Sequence, residues 1–197
     1  MSKLVQEFYD NNYKRFSQTR FSVWDVIKKF NKEIKPESYI LEAGCGNGKN
    51  MTFLQNNGHT VKGIDFSNKL LDVCKSKNLD VEYADIRNLP FNDKTFDYTI
   101  SIAVIHHLET ISEIKNSINE LLRVTKDDGY ILITVWAVEQ DCYSRRILKD
   151  GPNLVPFEDT FRFYYVFSEN SFKELLTAFN VQAIFWEKSN WNAIIKK

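Results

Sequence analysis

The chain has 197 residues, with 26 Lys and Arg against 26 Asp and Glu, so it is formally neutral; 43% of its residues are hydrophobic and 14% aromatic. This composition excludes a disordered or fibrous chain, and neutrality excludes the global cationic excess that by itself advertises nucleic-acid binding. A chain of this length buries about 70% of its unfolded surface, so packing alone can hold one domain over residues 1–197 without disulfide or structural metal.

Three cysteines, Cys45, Cys74 and Cys142, form no CxxC pair. That disfavours a disulfide framework and a cysteine zinc site, so no metal site is expected in this chain and a reducing compartment fits it best. The stretch from Met1 to Glu7 has no apolar run, and no uncharged segment of about 18 residues is present to span a bilayer. A cytoplasmic or nuclear protein without anchor or signal, and with no membrane partner, is the expectation.

Residues 1–38 carry two helical patterns. Leu4, Val5, Phe8 and Tyr9 share one face, and Trp24, Ile27, Phe30 and Ile34 recur at helical spacing until Pro36. Both faces are predicted to lie on a core. Tyr39-Ile40-Leu41 begins a first strand that runs into Glu42-Ala43-Gly44-Cys45-Gly46-Asn47-Gly48. Thr60 to Asp65 reads as a second strand, followed by a helix buried through Leu70, Leu71 and Cys74. Val81-Glu82-Tyr83 reads as a third strand.

The nearly unbroken apolar run from Phe96 to Ile105 predicts a strand covered on both faces, as in a parallel sheet. Ile111, Ile114, Ile118, Leu121 and Leu122 make a helical stripe, Asp127-Asp128-Gly129 a turn, and Tyr130 to Trp136 a further buried strand. Residues 137–167 lack a clean period and are predicted as an inserted loop region over the substrate side of the sheet. Ser168 caps a helix with the face Phe172, Leu175, Leu176 and Phe179. Val181 to Trp186 and Trp191 to Ile195 then form a hairpin, antiparallel because its connection is so short.

Alternating strands and helices predict an α/β doubly wound sheet, seven-stranded and mostly parallel, with a C-terminal antiparallel hairpin unlike a dehydrogenase domain. No internal repeat, low-complexity tract or domain linker is visible.

The glycine turn lies where open parallel sheets bind ligands. Gly44 and Gly46 let backbone approach a ligand closely. Glu42 would repel a pyrophosphate and suits an amine or sulfonium instead, and the spacing G-x-G-x-G departs from the dinucleotide G-x-G-x-x-G. Asp65, at the end of the second strand, is placed to take two ribose hydroxyls. Asp85, after the third, is placed to accept from an adenine amine beside the backbone N–H of Ile86.

These residues resemble the class I S-adenosylmethionine-dependent methyltransferases, whose cofactor is held by an acidic glycine-rich turn and by acids after strands two and three. The resemblance implies S-adenosylmethionine as cofactor, on Glu42, Gly44, Gly46, Asn47, Asp65, Phe66, Asp85, Ile86 and Ala103. Further segments are similar to a narrower family, the tRNA methyltransferases that esterify 5-carboxymethyluridine at the wobble position, including the domain fused to an AlkB-type hydroxylase in animals. They are Phe8-Tyr9-Asp10, Thr19-Arg20-Phe21-Ser22-Val23-Trp24, the glycine turn through Lys49, Ser101 to Leu108 with its paired histidines, Val135 to Gln140, and Arg162 to Phe167. Asp25 stands where that family usually has proline, and the insertion after strand five is shorter than is often seen there.

The resemblance implies a catalytic group of Arg20, His106, Trp136, Arg162 and Tyr164. A carboxylate nucleophile has a reference pKa near 4 and needs no general base, only placement; an arginine fork suits that task, which makes Arg20 and Arg162 the candidate clamps. His106 would donate to the carboxylate or uracil, while His107 stays open between a structural and a functional role. Trp136 and Tyr164 would flank a base extruded from the tRNA anticodon loop. Lys14, Arg15, Lys28, Lys29, Lys32, Arg145, Arg146 and Lys149 are candidate phosphate contacts or simply solvated. The resemblance also implies a heterodimer with a small zinc-binding methyltransferase activator, docked by strand addition on the edge strand at Val81 to Tyr83, near Leu89 and Phe91. A small-molecule methyltransferase and a noncatalytic scaffold of the same fold are the competing readings.

Overall fold

The computed structural model describes residues 3–142, 144, 146–157 and 160–197. Helix α1 (Lys3–Thr19) precedes α2 (Asp25–Phe30), after which strand and helix alternate: β1 (Tyr39–Ala43), α3 (Lys49–Asn56), β2 (Thr60–Asp65), α4 (Asn68–Lys75), β3 (Val81–Tyr83), β4 (Phe96–Ile102), α5 (Ile111–Val124) and β5 (Thr125–Trp136). The chain continues through β6 (Gly151–Phe157), β7 (Thr160–Val166), α6 (Glu169–Leu175), β8 (Val181–Glu187) and β9 (Asn190–Lys196).

Seven strands form one sheet in the order β3-β2-β1-β4-β5-β9-β8. The strands from β3 to β5 are parallel, while β9 runs antiparallel to both β5 and β8, with Val135 opposite Trp191. Chain order reverses between β1 and β4, and a crevice opens at the carboxyl ends of such a pair. Two apolar layers cover the sheet. One gathers Ile114, Ile118 and Leu121 of α5 with Phe172 and Leu175 of α6; the other gathers Val26, Ile27 and Phe30 of α2 with Met51, Leu54 and Leu71. With both faces covered, β4 is buried almost throughout. Ser67 caps α4 by accepting from the Leu70 N–H, and Ser168 and Ser171 form a reciprocal cap on α6.

Four local expectations need correction. Leu4 is 76% exposed, although Val5 and Phe8 of the same stripe are buried. The second helix ends at Phe30, and Ile34 reaches the core from the turn that follows. Asp127-Asp128-Gly129 lies inside β5 as a bulge: pairing jumps from Phe96↔Thr125 to Tyr98↔Tyr130, with Asp128 at φ +64°.

The fourth concerns residues 137–167, which hold a second, two-stranded sheet. Strands β6 and β7 pair antiparallel, with Val155 opposite Arg162. Pro152 and Pro156 mask the strand pattern, and proline is tolerated in this sheet because both of its strands are edges. The hairpin is tied to the main sheet where the Phe167 N–H donates to the Trp136 carbonyl at 3.1 Å and the Val138 N–H to the Phe167 carbonyl at 2.8 Å. Among the described residues no helix is long and apolar enough to cross a membrane.

Candidate functional site

Beyond β1 the backbone takes positive φ at Gly44 (+85°), Gly46 (+57°) and Gly48 (+74°). A Cβ on Gly44 would lie 2.2 Å from Val104 Cγ2, so only glycine fits this close approach. The Gly46 N–H donates to Oδ2 of Asp65 and the Ser67 N–H to Oδ1, each at 2.8 Å. Burial raises the Asp65 carboxyl against those two N–H groups, and its position is fixed by the turn it anchors.

Glu42 is 1% exposed. Its Oε1 accepts from Asn50 Nδ2 at 2.7 Å, while Oε2 has no partner and burial pushes the carboxyl up to about 8. A buried carboxyl this short of partners is suited to accept from a cationic or N–H-bearing ligand group. Because the folded state holds a proton that the unfolded chain releases, this group stabilises the fold fully below its ordinary value of 4.5, and the contribution is lost as pH rises through about 8. The thermal midpoint is therefore expected to fall between about pH 5 and pH 8, and Glu42→Gln to flatten that fall in melts recorded across the range.

Asp85 faces the other way in charge. Burial raises it, but Arg87 donates from Nε and Nη2, with Nη2 at 2.6 Å, and holds the carboxyl down at about 2. Phe66 stacks on Tyr83 with ring centroids 5.2 Å apart. Phe66, Asp85 and Ile86 border a small cavity of about 30 Å³ that shares Gly44, Asp65 and Val104 with a larger one of about 260 Å³. Asp65 thus sits between two chambers.

The larger cavity brings together Arg20, His106, Trp136, Arg162 and Tyr164 with Glu42, Gly44, Gly46, Asn47 and Ala103. Ala103 leaves β4 at φ +60° and starts a one-turn 3₁₀ helix, Ile105–His107, that delivers both histidines. The Trp136 backbone N–H donates to His106 Nδ1 at 3.0 Å, so the proton of this imidazole is on Nε2. His107 Nδ1 lies 2.9 Å from the Phe163 carbonyl, which only accepts, so Nδ1 carries the proton and Nε2 accepts from the Tyr9 hydroxyl at 2.8 Å. Burial lowers both rings, His107 to about 4, and keeps them neutral.

Arg162 is 7% exposed and its Nε has no partner. Its guanidinium lies over the rings of Phe8, Phe157 and Tyr164, at 4.9, 4.7 and 5.3 Å, and pairs with no carboxylate among the described residues. Arg20, half-buried, stacks on Phe16 at 5.0 Å, and its guanidinium donates to Thr19 Oγ1; burial and the charge of Arg162 lower its pKa. Among the described residues neither guanidinium has a carboxylate partner, and the two share one cavity.

Two expected arrangements differ. Trp136 and Tyr164 stack on each other, centroids 3.9 Å apart and 5° from parallel, and Arg146 covers Trp136 at 4.8 Å. A base between the two rings would have to double their separation, so in this conformation they form a wall and do not flank a base. The Asn47 amide donates to the carbonyls of Ser17, at 3.4 Å, and Arg20, at 3.1 Å, so it pins the end of α1 to the glycine turn. Among the phosphate candidates, Lys28 pairs with Asp25 and Lys29 with Glu187, and Arg145 lies outside the described residues. Tyr9, Phe16 and Lys49 also line the cavity, although the sequence assigned none of them a site role. Tyr9 lay within the Phe8-Tyr9-Asp10 segment, whose only local signal was an amphipathic face.

Residues 41–133 match the family described as a methyltransferase domain. The chain is 43% identical over 139 residues to the tRNA (carboxymethyluridine(34)-5-O)-methyltransferase of Arabidopsis thaliana, an alignment covering 71% of this chain and 34% of that protein. The chain thus spans about a third of that curated relative. It is 32% identical over 206 positions to a protein of Encephalitozoon cuniculi whose name assigns it to the methyltransferases and gives no substrate, covering 99% of this chain and 96% of the relative. Among solved structures, a SAM-dependent methyltransferase of Methanosarcina mazei superposes with a TM-score of 0.74 at 18% identity, over 89% of this chain and 98% of its own. The Haloferax volcanii complex of the Trm112 methyltransferase activator with a methyltransferase gives 0.75 at 14%, over 98% and 96%. With that fold, the acidic glycine turn and a relative matched from end to end, the chain belongs to the class I S-adenosylmethionine-dependent methyltransferases.

Proposed function

We propose that this enzyme methylates the carboxylate of 5-carboxymethyluridine at the wobble position of tRNA, forming the methyl ester. The observation that carries the reading is the pair of unpaired guanidinium groups, Arg20 and buried Arg162, in the cavity that also holds the partnerless Glu42 oxygen. The Arabidopsis relative, named for this reaction, supports it.

The residues fit S-adenosylmethionine. Glu42 offers a buried acceptor to its cationic methionine end, Asp65 an anchored carboxylate to the ribose, and Phe66, Asp85 and Ile86 the surroundings of the adenine, while Gly44 leaves room for its approach. When bound, this cofactor supplies an electrophilic methyl group. The chain's own task is placement: a carboxylate is ionised at neutral pH without a base, and orientation of two reactants is worth about 7–11 kcal/mol of barrier. Arg162, held rigidly by three rings, and Arg20, pinned through Asn47, orient the carboxylate. His106 offers one N–H and, being neutral, competes for no proton.

The test uses anticodon stem-loops carrying 5-carboxymethyluridine or its carboxamide counterpart. Transfer to the first alone is expected; equal transfer to both would remove the carboxylate from the reading.

A small zinc-binding activator is proposed to dock on β3. That strand is at the sheet edge and Tyr83 is 47% exposed. Asp80 O accepts from Gly63 and Ala84 N–H reaches Asp65 O, which turns the N–H groups of Val81 and Tyr83 outward. The Haloferax volcanii neighbour, solved with its activator, is consistent with such an assembly. Val81→Pro is expected to abolish co-purification with the activator while cofactor binding persists by calorimetry; retained co-purification would place the partner elsewhere.

A further inference from the structure

Building on the wobble-uridine reading, we propose that His106 and Tyr9 together read the imide edge of the uracil ring, as a donor and acceptor pair that His107 holds in place as a positioning residue.

The argument starts from neighbouring imidazoles in opposite tautomers. His106 receives the Trp136 N–H at Nδ1, so its Nε2 is a donor; no partner for that Nε2 is found among the described residues, and the ring borders the larger cavity. His107 is committed at both nitrogens, donating to Phe163 O and accepting from Tyr9. The only proton of the Tyr9 hydroxyl is thereby spent on His107. What Tyr9 presents to the cavity is an oxygen that can only accept, with the Arg162 guanidinium beside one of its two lone pairs and the other left for a ligand. The histidine rings are 4.6 Å apart, and Tyr9 lies edge-on to His107 at 5.5 Å, so one small cluster on the wall of the cavity carries both the donor and the acceptor.

Such a pair has a definite complement. Uracil offers, next to its C5 substituent, the O4 acceptor and then the N3–H donor. Cytosine offers the reverse, an N4 amine and an unprotonated N3. A donor facing O4 and an acceptor facing N3–H satisfy uracil, whereas cytosine would meet donor against donor and acceptor against acceptor in a buried site. The identity of this pair depends on the fixed tautomers. If His107 were free to turn its proton to Nε2, the Tyr9 hydroxyl would become a donor and the preference would be lost. The Phe163 carbonyl prevents this, and that tie links β7, which carries Arg162, to α1, which carries Tyr9.

The experiment compares kcat/KM on two stem-loops of one sequence, carrying 5-carboxymethyluridine or 5-carboxymethylcytidine, with S-adenosylmethionine affinity by calorimetry as the control for folding. The wild type is expected to prefer uridine by at least about 100-fold. Tyr9→Phe, which keeps the ring and removes the oxygen, is expected to bring that ratio down to roughly ten-fold or less with cofactor affinity intact, and His107→Phe to do the same. A merely structural role would slow both RNAs together, so an unchanged ratio in Tyr9→Phe overturns the inference, as does a wild type that accepts both bases equally. If the wild type methylates neither RNA, the wobble-uridine reading itself has failed and the inference falls with it.

Discussion

Arg162→Ala is expected to lower kcat/KM on a carboxymethyluridine stem-loop by roughly 100- to 1,000-fold, about 3–4 kcal/mol, with the Kd of S-adenosylmethionine unchanged within about two-fold. The size follows from burial. Arg162 is 7% exposed, its Nε is unsatisfied, and its guanidinium lies over the rings of Phe8, Phe157 and Tyr164. In the proposed reaction a substrate carboxylate would supply a counter-ion and acceptors, and charge-assisted bonds in a buried site are among the strongest a protein makes. Arg162→Lys is expected to restore little, because an ammonium lacks the planar fork and stacks less well on Phe8 and Phe157. Arg20→Ala should cost less, since that side chain is half-exposed. Steady-state kinetics with calorimetry checks this, and a parallel loss of cofactor affinity in Arg162→Ala would show that the clamp is misassigned.

Asp65→Ala acts on the other ligand. Its carboxylate is held by the N–H groups of Gly46 and Ser67 and lies where the two cavities meet. Removing it deletes the acceptor for the ribose and leaves two turn N–H groups without their partner. The Kd of S-adenosylmethionine is expected to rise by roughly 100-fold, about 3 kcal/mol, and RNA turnover at saturating cofactor to fall far less than in Arg162→Ala. Calorimetry reads the first and saturation kinetics the second. An unchanged Kd would mean that the cofactor is held without Asp65.

The parts of the fold that repeat a local rule were legible from the chain. Thr60 to Asp65 places an acid at the strand end, Ser168 announces its helix, and the short connection at Lys188 to Asn190 dictates the final hairpin. The position of β3 at the sheet edge likewise agrees with the sequence-based expectation. What escaped depends on partners distant in sequence. Leu4 reads as core by spacing yet stays exposed, because Val5, Phe8 and Tyr9 are the members of its stripe that meet the body of the protein. Strands β6 and β7 were hidden by Pro152 and Pro156, which are unfavourable in a central strand and harmless at an edge.

In the site, residue type singled out the candidate clamps and the glycine turn, but not their couplings. That Asn47 would bind the carbonyl of Arg20, 27 residues away, and that Trp136 would lie flat on Tyr164 follow only from how α1 and the second sheet close over β4 and β5. The two histidines show the same limit. They are adjacent in sequence and equivalent in composition, and a backbone N–H from β5 and a carbonyl from β7 make one a donor to the cavity and the other a tether. Neutral net charge excluded a global cationic excess, and the local feature it could not reveal is the pair of guanidinium groups, Arg20 and Arg162, that line one cavity.

The most direct measurement incubates the enzyme, with and without the proposed activator, with methyl-labelled S-adenosylmethionine and total tRNA from cells lacking the enzyme. The expected result is label in the tRNA, located at the wobble nucleoside by digestion and mass analysis, and released by mild base as an ester requires. Label that resists mild base, or tRNA that stays unlabelled while cofactor binding is intact, would contradict the account.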